Sequence, residues 1–221
     1  MYRRCLSPVS AIFQDKMVNL ETFLNSLNSL KNDDKFVDYC RKYVLHGTPY
    51  IFLNREDEYY EFRKRIANKF NVAFNEVFIT GSAKLGFSPF KRKEFDYDSD
   101  IDVAIVSNPL YEEILESIRF YQMELREARW SVTTQEIKMY HQFLEYVVMG
   151  WIRPDKLPLS FQIKDFKNDW FDFFKSISYN KSEVGNYKVS AGVFKSYFYF
   201  EEYTISGLRK LKNSLTISTY L

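Results

Sequence analysis

The sequence predicts an α+β fold, in which a small mixed sheet is flanked by many helices. Over most of the chain, apolar side chains recur at helical spacing. Two short apolar runs, 77–80 and 101–106, instead end at turn-forming residues, as strands do. With 221 residues, the chain fits a single domain over 1–221.

The N-terminal part of this domain is predicted to be a helical extension that ends at residue 70. After an irregular start, apolar residues such as Leu20, Leu24 and Leu27 recur at the spacing of one helix face. Gly47 and Pro49 indicate a turn followed by a short extended piece. The predicted helices of the extension cover 19–31, 34–45 and 55–70.

The sheet core is predicted at about 71–165, with a polar loop over 83–99 between the two strands. After the second strand, Pro109 is typical of the first residue of a helix. Thr133 and Glu136 form a capping-box signature, which predicts the start of another helix.

The C-terminal part of the chain is predicted to consist mainly of helices over 166–221. It is preceded by an ordered loop over 151–159, which contains two prolines, and by a third strand over 160–165. The predicted C-terminal helices cover 167–178 and 192–214.

Asp100 and Asp102 are the main candidates for a functional site. Residues i and i+2 of a strand project from the same face, so both carboxylates face one way while Ile101 and Val103 point into apolar packing. Two adjacent carboxylates repel each other unless a cation lies between them. Mg²⁺ prefers such oxygen ligands and usually binds through one or two carboxylates plus substrate phosphates. A solvated edge strand is the alternative for these two residues alone.

Gly81 and Ser82 directly follow the first strand. Glycine lets the backbone approach a phosphate closely, and Ser82 offers a hydroxyl and a backbone N–H to phosphate oxygens. A tight turn without a ligand is the alternative for this dipeptide. The order of strand, Gly-Ser, polar loop and a strand bearing Asp-x-Asp is more specific than any of its parts.

The two motifs stand in the segments Gly81-Ser82-Ala83-Lys84-Leu85-Gly86 and Ser99-Asp100-Ile101-Asp102-Val103-Ala104-Ile105-Val106. Together they resemble the nucleotidyltransferase superfamily related to DNA polymerase beta. The match is close over about 77–106, and the loop between the motifs is longer than in minimal members. The resemblance implies a nucleotidyltransferase-type sheet, in which Gly81 and Ser82 contact a nucleoside triphosphate. It also implies that Asp100 and Asp102 are catalytic and bind Mg²⁺ or Mn²⁺.

The superfamily usually adds a third carboxylate on a later strand. Asp165, at the end of the predicted third strand, is the first candidate for this catalytic position, and Asp155 is the second. Glu136 is better explained as the capping partner of Thr133.

The resemblance implies transfer of a nucleoside monophosphate from a nucleoside triphosphate such as ATP to an acceptor hydroxyl, with loss of pyrophosphate. Two metal ions about 3.5–4 Å apart would stabilise the attacking and leaving oxygens. Small bacterial members modify protein, RNA, nucleotides or antibiotics, some in toxin–antitoxin systems or antiphage defence, so the acceptor and any cognate partner protein stay open. The alternative is an inactive module of this fold that binds a nucleotide or another protein.

Lys84, Lys91, Arg92 and Lys93 form a local basic cluster near these motifs. We predict that Lys84 binds the triphosphate; a solvated basic loop is the alternative for the cluster as a whole. The net charge of only +2 gives no general signature of a nucleic-acid binder.

Other classes of site do not match the sequence. Four alternating aspartates begin at Asp96, as in an EF-hand loop, but Ile101 and Ser107 stand where that loop requires glycine and glutamate. There is no phosphate-binding G-x-x-x-x-G-K-[ST] and no G-x-S-x-G. The two cysteines, Cys5 and Cys40, form no C-x-x-C pair. Without a signal-peptide pattern or a membrane-length apolar run, we expect a cytoplasmic protein that does not enter a membrane.

Overall fold

A computed structural model describes residues 18–218 except 128, 130 and 158–160, and omits the side chains of 161–165 and 216–218. The fold is α+β, as predicted, with a four-stranded mixed sheet and a two-stranded hairpin among many helices. The irregular start predicted from the sequence, including Cys5, lies outside the described residues.

The described residues form eight α-helices and six strands. The α-helices are α1 (Leu20–Asn28), α2 (Asp33–Tyr39), α3 (Glu56–Phe70), α4 (Gly81–Leu85), α5 (Asn108–Arg126), α6 (Thr134–Val148), α7 (Phe161–Ser176) and α8 (Tyr197–Ser218). The strands are β1 (Val77–Thr80), β2 (Phe87–Ser88), β3 (Lys93–Glu94), β4 (Ile101–Val106), β5 (Trp151–Ile152) and β6 (Val189–Phe194). A π-helical segment, Cys40–Leu45, continues α2, and 3-10 turns occupy Tyr50–Phe52, Phe74–Glu76 and Pro154–Lys156.

The main sheet has the strand order β1-β4-β6-β5. β4 is an interior strand, antiparallel to β1 and parallel to β6, while β5 pairs antiparallel with β6. The register places Thr80 of β1 and Ser190 of β6 on either side of Asp102 in β4. Three neighbouring strands therefore contribute one polar residue each to the same row.

The two faces of the sheet are covered differently. Ile101, Val103 and Ile105 belong to the main core, which α3, α5, α6 and α7 build against one face. Ala104 and Val106 point the other way and pack with Phe194 and with Phe200 of α8. Because Asp102 alternates with the main-core residues, it lies on the face that α8 crosses.

α8 is held between the sheet and the N-terminal helices. Its Ile205, Leu208 and Leu211 pack into a second core with residues of α1 and α2. Arg41 fixes the other end of α8 through a two-pronged ion pair with Glu201, at 2.7 and 2.9 Å. The N-terminal helices therefore hold α8 in place against β4, the strand that contains Asp102.

The predicted third strand over 160–165 is wrong, because residues 161–165 form the first turns of α7. The alternation in this short run fits a strand, but Trp170, Phe174 and Ile177 further on follow helical spacing and are buried in the main core. Asp165 is therefore on a helix, and its side chain lies outside the described part of the structure.

The sheet instead takes a strand from the C-terminal part of the chain. β6 lies beyond the predicted sheet core of 71–165, and the predicted helix over 192–214 begins only at Tyr197. Val193 lies at helical spacing from Tyr197 and Phe200, but pairing with β4 and β5 keeps this segment extended. β5 also occupies part of the loop predicted over 151–159.

The polar loop predicted over 83–99 is partly ordered into regular structure. It contains the end of α4 and the antiparallel hairpin of β2 and β3. In the part of the chain that the structure describes, no helix has both the length and the apolar character needed to cross a lipid bilayer.

Candidate functional site

The acidic pair lies at the open end of β4. Asp100 directly precedes the strand, Asp102 is its second residue, and both side chains reach solvent. Between them Ile101 is fully buried, as the alternating pattern predicts. The charge of Asp100 is one of the causes that raise the pKa of Asp102, so the two carboxylates lie within electrostatic reach of each other.

Two hydroxyl groups from the neighbouring strands contact Asp102. Ser190 donates a hydrogen bond from Oγ to Oδ1 of Asp102 at 3.1 Å. On the other side, Thr80 donates from Oγ1 to the backbone carbonyl of Asp102 at 3.3 Å. These contacts fix Asp102 between β1 and β6.

The pKa of the Asp102 carboxyl is raised above its ordinary value. The largest cause is desolvation, because the protein atoms packed around the side chain remove much of its hydration even though its tip reaches solvent. The hydrogen bond from Ser190 opposes this shift, and Asp100 adds to it. More distant Lys188 and Lys91 lower the pKa. The site thus holds an anionic group that lacks full compensation, which favours binding of a cation.

Gly81, the first residue of α4, lies beside Asp102 of the acidic pair. Gly81 has φ +65°, and a Cβ atom built there would lie 2.9 Å from Oδ2 of Asp102. The backbone of Gly81 is exposed beside this carboxylate. Among the described residues, the hydroxyl of the next residue, Ser82, forms no hydrogen bond. The fold therefore brings the two sequence motifs together at one edge of the sheet.

Lys84 does not lie where the triphosphate prediction placed it. Its side chain is buried, and its ammonium donates hydrogen bonds to the carbonyl oxygens of His46 and Gly47, the latter at 2.5 Å. Burial lowers the pKa of Lys84 to about 8. Lys84 therefore links α4 to the turn at residues 46–47, and its N–H donors face that turn.

The other basic residues of the cluster also separate. Lys93 forms an ion pair with Asp96 at 2.6 Å. Lys91, in the turn of the hairpin, acts electrostatically on Asp102. Arg92 lines a surface groove beside α1.

Two further residues lie at the site and were not predicted from the sequence: Ser190 of β6, and Lys188, which directly precedes this strand. Besides Ser190, Lys188 lies with its Nζ 3.9 Å from Oδ2 of Asp100. The local signal for this strand is weak, because Val189, Val193 and Phe194 favour a strand whereas Ala191 and Gly192 do not.

Two of the three acids considered for the third carboxylate, Asp155 and Glu136, are engaged elsewhere. Asp155 pairs with Arg153 at 2.8 Å, and Glu136 accepts from the backbone N–H of Thr133 at 2.7 Å, as a capping partner does. The side chain of Asp165 is not described. Among the residues described, no group of three His, Cys, Asp or Glu could hold a metal ion. On the later strand, the residue beside Asp102 is a serine.

The donor set at this edge still fits a hard divalent cation. Asp100 and Asp102 supply two carboxylates, and Ser190 adds a hydroxyl oxygen. Mg²⁺ needs one or two carboxylates when phosphate oxygens and water complete its shell. The arrangement therefore suits a cation that arrives together with a phosphate ligand.

No protein-family model, no curated protein and no solved structure matches this chain.

Proposed function

We propose that this chain binds a nucleoside triphosphate with Mg²⁺ or Mn²⁺ and acts as a nucleotidyltransferase. The observation that carries the proposal is the close approach of Gly81 to Asp102, in which a backbone without a side chain lies beside an exposed carboxylate. A phosphate bound at Gly81 and Ser82 would lie beside the cation held by Asp100 and Asp102. Pairing of β1 with β4 brings both motifs to one edge of the sheet.

Each residue of the site has a role in this proposal. Asp100 and Asp102 hold the cation, which when bound neutralises phosphate charge and polarises the α-phosphate. The backbone of Gly81 and the hydroxyl of Ser82 orient the phosphates. Lys188 and Lys91 supply positive charge near the acids. An acceptor hydroxyl forms a bond to the α-phosphorus as the bond to pyrophosphate breaks, and its proton leaves to water.

The proposed acceptor is a protein, an RNA or a nucleotide. The proposed biological role is in a cytoplasmic toxin–antitoxin system or in antiphage defence. Ser190 favours a second candidate function, because it stands beside Asp102 where a third carboxylate would complete an acidic triad. In that case the chain is a nucleotide-binding module without transfer activity, which works through a partner protein.

One experiment separates these two functions. The protein is incubated with each α-labelled nucleoside triphosphate, Mg²⁺ or Mn²⁺ and cell lysate, and labelled macromolecules and small products are resolved. Transfer predicts a labelled product that disappears when Asp102 is replaced by asparagine. Metal-dependent binding in calorimetry without any labelled product supports the module. Absence of metal-dependent binding of every triphosphate refutes the proposal as a whole.

Replacing Ser190 with aspartate is expected to strengthen the cation site. The new carboxylate would stand beside Asp102 in the row of polar residues, and we expect Mn²⁺ to bind about tenfold more tightly because the ligand charge increases. Without metal, repulsion between the carboxylates should lower the melting temperature.

The matched control for this change is Ser190→Asn, because asparagine has the shape of aspartate but no charge. Metal titration followed by paramagnetic resonance measures both variants. Equal Mn²⁺ affinity in the aspartate and asparagine variants would show that position 190 does not border a cation site.

A further inference from the structure

The face of the sheet that carries Asp102 continues under α8. Along β6, Ser190 is followed on this face by Gly192 and then by Phe194. α8 starts just after the strand and runs back over it. Phe200 and Tyr203 of this helix both pack on Phe194, so α8 covers the sheet face that carries Ser190 and Asp102.

An aromatic stack lies on this face of the sheet. Trp151 of β5 lies parallel to Phe194, with 5.6 Å between ring centroids, and Tyr203 packs on Trp151 at 4.5 Å. Gly192 makes room for this stack, since a Cβ atom there would lie 2.5 Å from Nε1 of Trp151. The stack therefore supports Tyr203 from one side, and the Tyr203 side chain remains 48% exposed.

The hairpin of β2 and β3 also reaches α8. Phe90, in its turn, comes within 3.9 Å of a Cβ atom built on Gly207 and is 61% exposed. The next residue, Lys91, acts electrostatically on Asp102. The hairpin thus brings one aromatic ring to α8 and one cation towards the acidic pair.

Electrostatics connect the aromatic stack with the acidic pair as well. Burial raises the pKa of Tyr203, Arg153 lowers it, and the charge of Asp102 raises it. Arg153 lies over the ring of Trp151, at 5.6 Å from its centroid. Tyr203 is therefore within the field of the carboxylate that would hold the cation.

We infer that Tyr203, supported by Trp151, stacks on the base of the nucleotide whose phosphates bind at Gly81, Ser82 and the acidic pair. This inference rests on the proposed function. It follows from an exposed aromatic ring on the same sheet face as Asp102. Tyr203 packs on Trp151, whose indole lies against Gly192, two residues along β6 from Ser190, and a sugar can bridge that span. Stacking tolerates every base, so the ligand class is a nucleoside triphosphate without restriction to one base.

The test compares Mg²⁺-ATP with Mg²⁺-tripolyphosphate, which has the phosphate chain but no base. Stacking on one aromatic ring contributes about 1–3 kcal/mol, so Tyr203→Ala is expected to weaken ATP binding by about 5- to 150-fold. Its affinity for tripolyphosphate should not change. Tyr203→Phe should keep the wild-type affinity for ATP, because the ring and not the hydroxyl stacks.

Phe198→Ala is the matched control, because Phe198 is an exposed aromatic residue of the same helix with 63% exposure. Calorimetry gives the affinities, and thermal unfolding checks that each variant folds. Unchanged ATP affinity in Tyr203→Ala, with wild-type protein that binds both ligands, overturns the base site and leaves the proposed function standing. Wild-type protein that binds neither ligand overturns the proposed function and this inference with it.

Discussion

Asp102→Asn is expected to lower the affinity for a nucleoside triphosphate in the presence of Mg²⁺ by about 100-fold or more. Loss of groups that merely orient a metal ligand costs about 10- to 100-fold, and loss of a charged ligand should cost at least as much. Asparagine keeps the shape of the side chain and an oxygen that can accept from Ser190, so the change isolates the charge. Calorimetry with and without Mg²⁺ measures the effect.

The same variant should be more stable than the wild type at neutral pH in the absence of metal. Because the pKa of Asp102 is higher in the folded than in the unfolded chain, ionisation of this group destabilises the fold as pH rises through that range. The difference in melting temperature should shrink to zero near about pH 3, where the carboxyl is protonated in both states.

Asp98→Asn is the control for both measurements, since Asp98 is an exposed carboxylate in the loop before β4. It should retain triphosphate binding. If Asp102→Asn binds Mg²⁺-triphosphate as tightly as Asp98→Asn does, Asp102 is not a metal ligand.

The centre of the site could be predicted from sequence because all of its signals are local. The strands at 77–80 and 101–106 have the predicted bounds, and the Asp-x-Asp spacing fixes which residues face the same way. Pairing of β1 with β4 then brings the Gly-Ser turn to the acids. Strand period and turn chemistry determine these features without knowledge of the rest of the chain.

The remainder of the site depends on a distant pairing that no local pattern specifies. Ser190 is 88 positions from Asp102 along the chain. The segment 189–194 is extended because β4 and β5 pair with it. Its sequence also fits a helix, since Val193 lies at helical spacing from Tyr197 and Phe200 of α8. Conversely, 161–165 has strand-like alternation but becomes helical because the residues after it bury one helix face.

Lys84 illustrates a different limit of sequence analysis. Its position beside Gly81 and Ser82 suggests a phosphate-binding role, yet two backbone carbonyls of the 46–47 turn hold its ammonium. The direction of a long side chain depends on the acceptors that surround it in space. A lysine that is close in sequence to a site therefore need not face that site.

Gly81→Ala is expected to damage triphosphate binding more than stability. The residue has φ +65°, which costs about 1–2 kcal/mol for a residue with a side chain. The added Cβ would also lie 2.9 Å from Oδ2 of Asp102, so the carboxylate must rotate away and lose its alignment with Ser190. We expect Mg²⁺-triphosphate affinity to fall by about tenfold or more, as it does when the orientation of a metal ligand is lost.

Gly185→Ala provides the matched control for backbone strain. Gly185 has φ +80°, and nothing lies within 4 Å of a Cβ atom built there, so alanine adds the same kind of strain without displacing a side chain. Denaturant unfolding should show similar losses of stability in the two variants, whereas calorimetry should show lost affinity only for Gly81→Ala. Equal affinities in both variants would mean that Gly81 serves only to start α4, because both glycines have positive φ and only a Cβ at Gly81 would crowd Asp102.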